Sequence, residues 1–367
     1  MTSTGARLKV AIVGCGKIAD GHVEAVQARP DRASLVAVCD IEPLMAEQLA
    51  GRYRLPRYYD RFDELLDRER PDVVHVTTSP QSHAMLTKTA LAAGCHVYVE
   101  KPFALNQGEA AEMIASAEAA QRKITVGHSV FFDPPARALR ELVTQGLLGT
   151  PVHVESFYGY DLSGQFGRAL LADSRHWVHR LPGKLFQNII DHVFNKVAEF
   201  VPDDPPAVHA FATALRPQRY GDERDNLLDE LRVLVKGERT TGYGTFSAHI
   251  RPQGHFLHVY GTHNSAHVDF AARTVTLDCT AKLPSALGRL LPAFQQGLAY
   301  LREGSRNVLR FARSDFHYFS GLHHLIGLFY DSVQNDAPLP IPYREILRVS
   351  GMLDEIFRQV PQMGGAR

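Results

Sequence analysis

Leu8-Lys9-Val10-Ala11-Ile12-Val13-Gly14-Cys15-Gly16-Lys17-Ile18-Ala19 is the stretch whose reading decides the fold. Its first six residues form a short apolar run, the kind buried on both faces of a parallel sheet. The run ends at glycine. A helix pattern follows from about Ile18 to Ala28, where Pro30-Asp31 stops it. The turn between them spells G-x-G-x-x-A, an accepted variant of the dinucleotide fingerprint. Gly14 permits a tight turn, Gly16 lets backbone approach a diphosphate, and Ala19 is small enough for close packing of helix on strand. The helix start, at Lys17 and Ile18, offers free N–H groups and the positive end of a dipole to phosphates.

Outward from this turn the pattern repeats. Ser34–Cys39 reads as a second buried strand with Asp40 at its tip, 24 residues beyond Gly16. A carboxylate there accepts hydrogen bonds from ribose hydroxyls and repels a 2′-phosphate. No arginine follows in Ile41-Glu42-Pro43, so NAD is favoured over NADP. Asp72–Thr77, His96–Glu100 and Lys123–Val126 read as further strands, separated by helix patterns at Gln81–Ala93 and Gln107–Gln121. Repeated β-α units of this length imply a parallel sheet with helices on both faces. After about residue 150 helices become rarer. Strands are expected at Pro151–Tyr160, Val208–Leu215, Leu231–Lys236, His255–Gly261, Ala266–Phe270 and Thr274–Leu277. Their close succession favours a mostly antiparallel sheet and an α+β domain. Helix-like segments close the chain at Phe319–Asn335 and Tyr343–Val360. Residues 1–130 are thus read as a dinucleotide-binding domain and 131–367 as an α+β substrate-binding and oligomerisation domain.

Composition narrows the class. The 367 residues are 45% hydrophobic, enough for a large core, and 40 Lys+Arg balance 40 Asp+Glu. A net charge of +0 supplies no electrostatic pull towards nucleic acid or a membrane, and neither partner is expected. No apolar run is long enough to span a bilayer. The polar start Met1–Arg7 runs directly into a strand, so no signal peptide and a cytoplasmic location are expected. Cys15, Cys39, Cys95 and Cys279 form no C-x-x-C pair, so neither a zinc knuckle nor a disulfide framework is expected. His176 and His179, three apart, could chelate a metal on a helix, but no third ligand follows in pattern, and no metal is expected.

Leu283–Arg313 places Leu287, Leu290, Leu291, Phe294, Leu298 and Leu301 at roughly helical spacing, with five arginines between and after them. The ordinary reading is a core-facing or subunit-facing helix with a solvated basic face. A membrane-surface helix is the alternative.

Glu100-Lys101-Pro102 sits at the carboxyl end of the fourth strand, the edge that faces the ligand crevice of an open parallel sheet. A lysine there can bond a substrate oxygen and help carry the proton that moves with a hydride. With these residues in place the sequence resembles the Gfo/Idh/MocA oxidoreductase family. The resemblance rests on Gly14–Ala19, Asp40, Thr77-Thr78-Ser79-Pro80-Gln81-Ser82-His83, Ala93–Val97, Glu100-Lys101-Pro102, and Val126-Gly127-His128 leading to Phe132-Asp133-Pro134.

The resemblance implies a Rossmann domain joined to an α/β domain with a large open sheet, and a substrate bound between that sheet and the nicotinamide. It implies that Lys101 contacts the reacting hydroxyl and that Ser79 and Pro80 border the cofactor. The implied cofactor-binding set is Gly14, Gly16, Lys17, Ile18, Asp40, Ser79, Pro80, His83, Glu100 and Lys101. Sugars, inositols or similar polyols are the implied substrates, and a homodimer or homotetramer the implied assembly. The family's second motif is an Asp, a His four residues later and an acid three beyond. Here Asn188, His192 and Asn195 occupy those places. Spacing of i, i+4 would set Asn188 and His192 on one helix face, and both join Lys101 as catalytic candidates. An Asn can orient a hydroxyl but cannot take its proton, so acid–base work falls to His192, Lys101 or both. A register one residue earlier pairs Gln187 with Asp191 instead. His128 is a further candidate for substrate contact.

The reading is therefore an NAD-dependent oxidoreductase acting on CH–OH groups. Two alternatives share the fold: a redox-neutral enzyme that oxidises a sugar transiently and cleaves it, and a non-catalytic dinucleotide sensor.

Overall fold

The computed structural model describes residues 7–162, 164–173, 175–215, 227–279, 285–313 and 316–360. They divide into two units. One holds the N-terminal stretch through Ser129 together with Gly321–Ser350. The other holds Val130–Ser320 together with the stretch from Gly351.

The first unit alternates β1 (Leu8–Val13), α1 (Ala19–Gln27), β2 (Ala33–Cys39), α2 (Pro43–Tyr53), β3 (Tyr58–Tyr59), α3 (Phe62–Glu69), β4 (Val73–Val76), α4 (His83–Ala92), β5 (His96–Val99), α5 (Gln107–Ala119) and β6 (Ile124–Val126). All strand pairs are parallel, in the order β3-β2-β1-β4-β5-β6. This is the doubly wound dinucleotide-binding order. The expected N-terminal parallel sheet is present, and β3 and α3 are added to it. The central strands are apolar throughout because helices cover both faces: Val10, Ala11, Ile12, Val73, Val74, Val97 and Val99 have no exposed surface. Ile12, Ala19, Val23, Val38 and Leu49 form one cluster that packs α1 and α2 onto the sheet.

The chain returns to this unit through most of α11 (Ser320–Asn335). Leu325, Ile326, Phe329 and Tyr330 of α11 are fully buried. Arg32 pairs with Asp331 at 2.7 Å, and Lys123 Nζ bonds Ser332 O and Asp336 Oδ1, each at 2.7 Å. This return is invisible to a linear division at residue 130.

The second unit contains α6 (Pro134–Thr144), β7 (Pro151–Asp161), α7 (Gln165–Ala172), α8 (Lys184–Ile189), α9 (Asp191–Phe200), β8 (Ala207–Thr213), β9 (Glu230–Lys236), β10 (Thr241–Ser247), β11 (His249–Gly261), β12 (Asn264–Asp269), β13 (Thr274–Cys279) and α10 (Ser285–Ala312). Its seven strands run β13-β12-β11-β7-β10-β9-β8. Only β7–β10 is a parallel pair. The expected, mostly antiparallel sheet is thus present. The division between the units falls inside α12 (Tyr343–Gln359).

Strand β10 was not among the expected strands. Its start, Thr241-Gly242-Tyr243-Gly244, carries two glycines, which weaken the strand signal. Packing explains the glycines. A Cβ on Gly242 would lie 2.5 Å from Val197 Cγ1, and one on Gly244 2.4 Å from Phe194 Cε1. The sheet has given up side chains there so that α9 can lie close. Gly244→Val should therefore destabilise the chain by about 1–3 kcal/mol through overpacking. The check is a lowered urea midpoint with an unchanged slope.

Candidate active site

Four loops leave the carboxyl ends of β1, β2, β4 and β5, and parallel pairing puts those ends on one edge. Gly14 opens the first loop with φ +99°, and a Cβ there would lie 2.6 Å from Thr78 N. Gly14 is therefore required twice, by its own turn and by the backbone crossing beside it. Thr77 Oγ1 donates to Gly14 O at 2.6 Å, which ties the two loops together. Gly16 has open space where a Cβ would point. That space is what a diphosphate approaching the start of α1 needs. Lys17 is exposed, Ile18 is half-buried, and Ala19 is fully buried against the sheet.

Asp40 follows β2. Its carboxylate accepts from Cys15 N at 2.7 Å and from Glu42 N at 3.0 Å, so the acid is fixed beside the glycine turn. Ser79 and Pro80 start a short 3-10 turn after β4. His83 is fully buried. Its Nδ1 lies 3.0 Å from Pro102 O and its Nε2 3.1 Å from Thr78 O. Burial holds His83 below the ordinary imidazole range. Both neighbours are carbonyl acceptors and the neutral ring carries one N–H, so His83 donates to one of them and sits against the other, acting on the edge through its backbone.

Lys101 is half-buried at the same edge, after β5. Its neighbour Glu100 is buried and heads a chain of hydrogen bonds that the sequence reading missed. Glu100 Oε2 accepts from Lys101 N at 3.2 Å. Glu100 Oε1 lies 3.1 Å from His22 Nε2, His22 Nδ1 lies 2.9 Å from His75 Nδ1, and His75 Nε2 lies 3.0 Å from Tyr330 Oη. His22, His75 and Tyr330 have no exposed surface. One set of tautomers satisfies every link: Tyr330 donates to His75, His75 to His22, and His22 to the Glu100 carboxylate. Gly127 makes room, since a Cβ there would lie 2.7 Å from Glu100 Oε1. A signal was available in the sequence: His75 interrupts the otherwise apolar strand Val73–Val76.

The second unit holds the other candidates. The expected single helix under Asn188 and His192 is instead two, α8 and α9, meeting at Ile190. Asn188 is buried near the end of α8, and His192 is half-buried in the first turn of α9. The His192 ring meets Tyr158 edge-on at 5.7 Å and His255 at 6.4 Å. Gln187, from the alternative register, accepts from Gly183 N at 2.9 Å and so caps α8. His179 Nε2 lies 2.9 Å from Leu170 O, and His176 accepts from Val178 N, so both rings are engaged with backbone. Behind His192 lies a second pair that the sequence reading missed. Lys196 Nζ is 3.1 Å from His255 Nε2, and both groups are buried. Burial lowers Lys196 to about 7, against the pull of Asp191 and Asp133. His255 is pushed well below its ordinary value by burial and by Lys196.

Among the described residues, Asp229, Glu230 and His249 come close enough to hold a cation. Their carboxylate oxygens are already bonded, Asp229 to Leu215 N and His249 and Glu230 to Ser247 and Arg232.

Residues 8–128 match the Gfo/Idh/MocA family model, described as an oxidoreductase family with an NAD-binding Rossmann fold. This N-terminal region belongs to that family. The chain is 36% identical to D-glucoside 3-dehydrogenase of Escherichia coli K12 over 146 residues, 40% of this chain and 42% of that protein. It is 28% identical to inositol 2-dehydrogenase of Rhizobium meliloti over 230 residues, 62% of this chain and 65% of that protein. The matches thus span between about two fifths and two thirds of these curated relatives. The fold of GenD2 from gentamicin A biosynthesis, solved in complex with NAD, superposes with a TM-score of 0.74 at 21% identity. That likeness covers 98% of this chain and 95% of GenD2. The glycine turn, the open space over Gly16 and the fixed Asp40 are compatible with the family's NAD.

Tyr330→Phe leaves His75 Nε2 without a donor and should cost about 1–3 kcal/mol, read as a lowered denaturant midpoint. Stability should also fall with acid. Burial puts His75 and His255 well below 6.5 and His96 at about 4. The unfolded chain takes up these protons near pH 6.5 and the folded chain refuses them, so stability declines as pH drops from 6.5 towards 4. Lys196 adds a slope of the same sign between 10.5 and about 7. Calorimetric melting temperatures should accordingly rise from mildly acid to mildly alkaline buffer.

Proposed function

We propose that the chain is an NAD-dependent oxidoreductase that moves a hydride between nicotinamide and a carbon bearing a hydroxyl or carbonyl in a sugar, inositol or similar polyol. The observation that carries this is the shared edge. Gly14 after β1, Asp40 after β2, Ser79 and Pro80 after β4, and Lys101 after β5 all leave the same ends of one parallel sheet. In open α/β sheets that edge is where ligands bind. The names of the curated relatives, a glucoside and an inositol dehydrogenase, support the substrate class.

Bound NAD supplies the hydride acceptor or donor. The chain supplies position and proton transfer. Gly14, Gly16, Lys17 and Ile18 take the diphosphate, and Asp40 takes the adenosine ribose. Ser79 and Pro80 border the cofactor, with His83 and Glu100 holding the loops that do so. When a hydroxyl is oxidised, its proton leaves as the hydride leaves. Lys101 and His192 are the groups proposed to bond that oxygen and pass the proton on, and Asn188 to orient a neighbouring hydroxyl. Residues from Val130 onward are proposed to bind the substrate and to join subunits in a homodimer or homotetramer.

The Asn188 amide cannot take a proton, and this favours one second reading: a redox-neutral enzyme that oxidises a sugar transiently, cleaves it and returns the hydride. Lys101→Ala decides the main assignment. With a panel of sugars and polyols, NADH formation should fall at least about a hundredfold, while calorimetric NAD binding stays within a few-fold of the parent. Unchanged turnover would remove Lys101 from the reaction. Sugar cleavage with no net NADH in the parent protein would select the redox-neutral reading.

A further inference from the structure

Helix α10 meets its own domain with its polar side. Asn307 Nδ2 donates to Ala272 O at 2.9 Å and Arg273 O at 3.3 Å. Val275 N donates to Glu303 Oε2 at 3.4 Å, and Gln296 Nε2 to Asp278 Oδ1 at 3.3 Å. Among its described side chains only Glu303 is buried. The apolar residues point the other way: Leu290, Phe294, Leu298, Leu301 and Val308 are 58%, 70%, 69%, 70% and 69% exposed. At successive steps of four, four, three and seven residues they form one stripe. Of the expected core-facing or subunit-facing arrangement, the core-facing one is corrected here, since a helix paired with its own core buries its apolar side. Residues 283 and 284 and the side chain of Leu287 lie outside the described residues.

Charge identifies what the stripe fits. Helical geometry places Arg302, Arg306 and Arg313 along one flank of it. Arg302, Arg306 and Arg310 also line a cavity of about 480 Å³ beneath the helix, together with Arg273. Arg302, Arg310 and Arg313 have no side-chain hydrogen bond or ion pair among the described residues, whereas Arg306 pairs with Glu303 at 2.5 Å. Glu303 is the only acid in the helix, and it is turned inward. Two copies paired antiparallel about a two-fold axis would lay this arginine row beside itself, with no acid of α10 other than the inward Glu303 to answer it. An anionic phospholipid surface answers both features at once.

We propose that α10 docks the chain on a bilayer surface carrying anionic phospholipid headgroups. The stripe enters the boundary between headgroups and acyl chains, and the arginine flank lies at the phosphates. This is a surface contact: among the described residues no helix is long and apolar enough to cross a membrane. The zero net charge of the whole chain does not oppose it, because screening makes the local charge within about 10 Å decisive. The inference does not rest on the proposed redox chemistry, and its test needs no turnover.

The test is flotation of the full-length chain with phosphatidylcholine vesicles and with vesicles also containing phosphatidylglycerol. The parent protein should float with the anionic vesicles, less so as salt is raised, and at least roughly tenfold less with neutral ones, since each arginine near the surface contributes about fivefold. A double variant, Phe294→Glu with Leu298→Glu, should lose at least tenfold in vesicle binding while keeping the parent's melting temperature, because both side chains are already solvent-facing. Failure of the parent to float with anionic vesicles would overturn the proposal. So would a double variant that floats as well as the parent. Flotation unchanged in the variant, with its mass by light scattering reduced, would assign the stripe to an interface between copies.

Discussion

The carboxylate of Glu100 is buried at the end of a parallel strand, and much of the first unit is arranged to make that tolerable. An acid withdrawn from water needs donors close at hand. Here they are the Lys101 N–H and the His22 ring, the latter fed by His75 and Tyr330 in turn. The partners come from α1, β4 and α11, far apart in sequence. Fixing Glu100 thereby fixes where the chain leaves β5, and with it the backbone from which Lys101 projects. Gly127 completes the arrangement by leaving the acid its space.

The same logic runs through the neighbouring loops. Asp40 is held by Cys15 N and Glu42 N, Gly14 O accepts from Thr77, and His83 spans Thr78 O and Pro102 O. The Asp40–Cys15, Thr77–Gly14 and His83–Pro102 contacts join one loop to another, so these segments form a braced edge. Preorganisation of this kind is what proton and hydride transfer require, because misplacement of the reacting groups is costly in rate. In the second unit, the buried Lys196–His255 pair lies behind His192 and ties α9 to β11. There a strand without side chains at Gly242 and Gly244 brings α9 close to the sheet.

Helix α10 shows a different economy. Where other helices spend their apolar face on a core, this one holds itself by a few polar contacts and leaves the apolar face outward. Stability of the unit cannot explain that choice, since the stripe buries nothing within it. An amphipathic surface maintained in this orientation has its energetic return outside the chain.

The sequence by itself determined the first unit's parallel β-α alternation, apart from β3 and α3, and the candidate cofactor turn. Strand-length apolar runs, a glycine turn and an acid at the next strand tip are local patterns, and local patterns follow from backbone sterics and periodicity. It also located Lys101, because E-K-P ends a recognisable strand. Tertiary structure alone decided the rest. It brought Tyr330 of α11 to His75, made His83 a brace, paired Lys196 with His255, and built β10 from a glycine-rich stretch that reads poorly as a strand. It also decided which side of α10 faces outward. The physical reason is the same in each case: burial and partner are properties of residues distant in the chain, and no spacing within one segment encodes them.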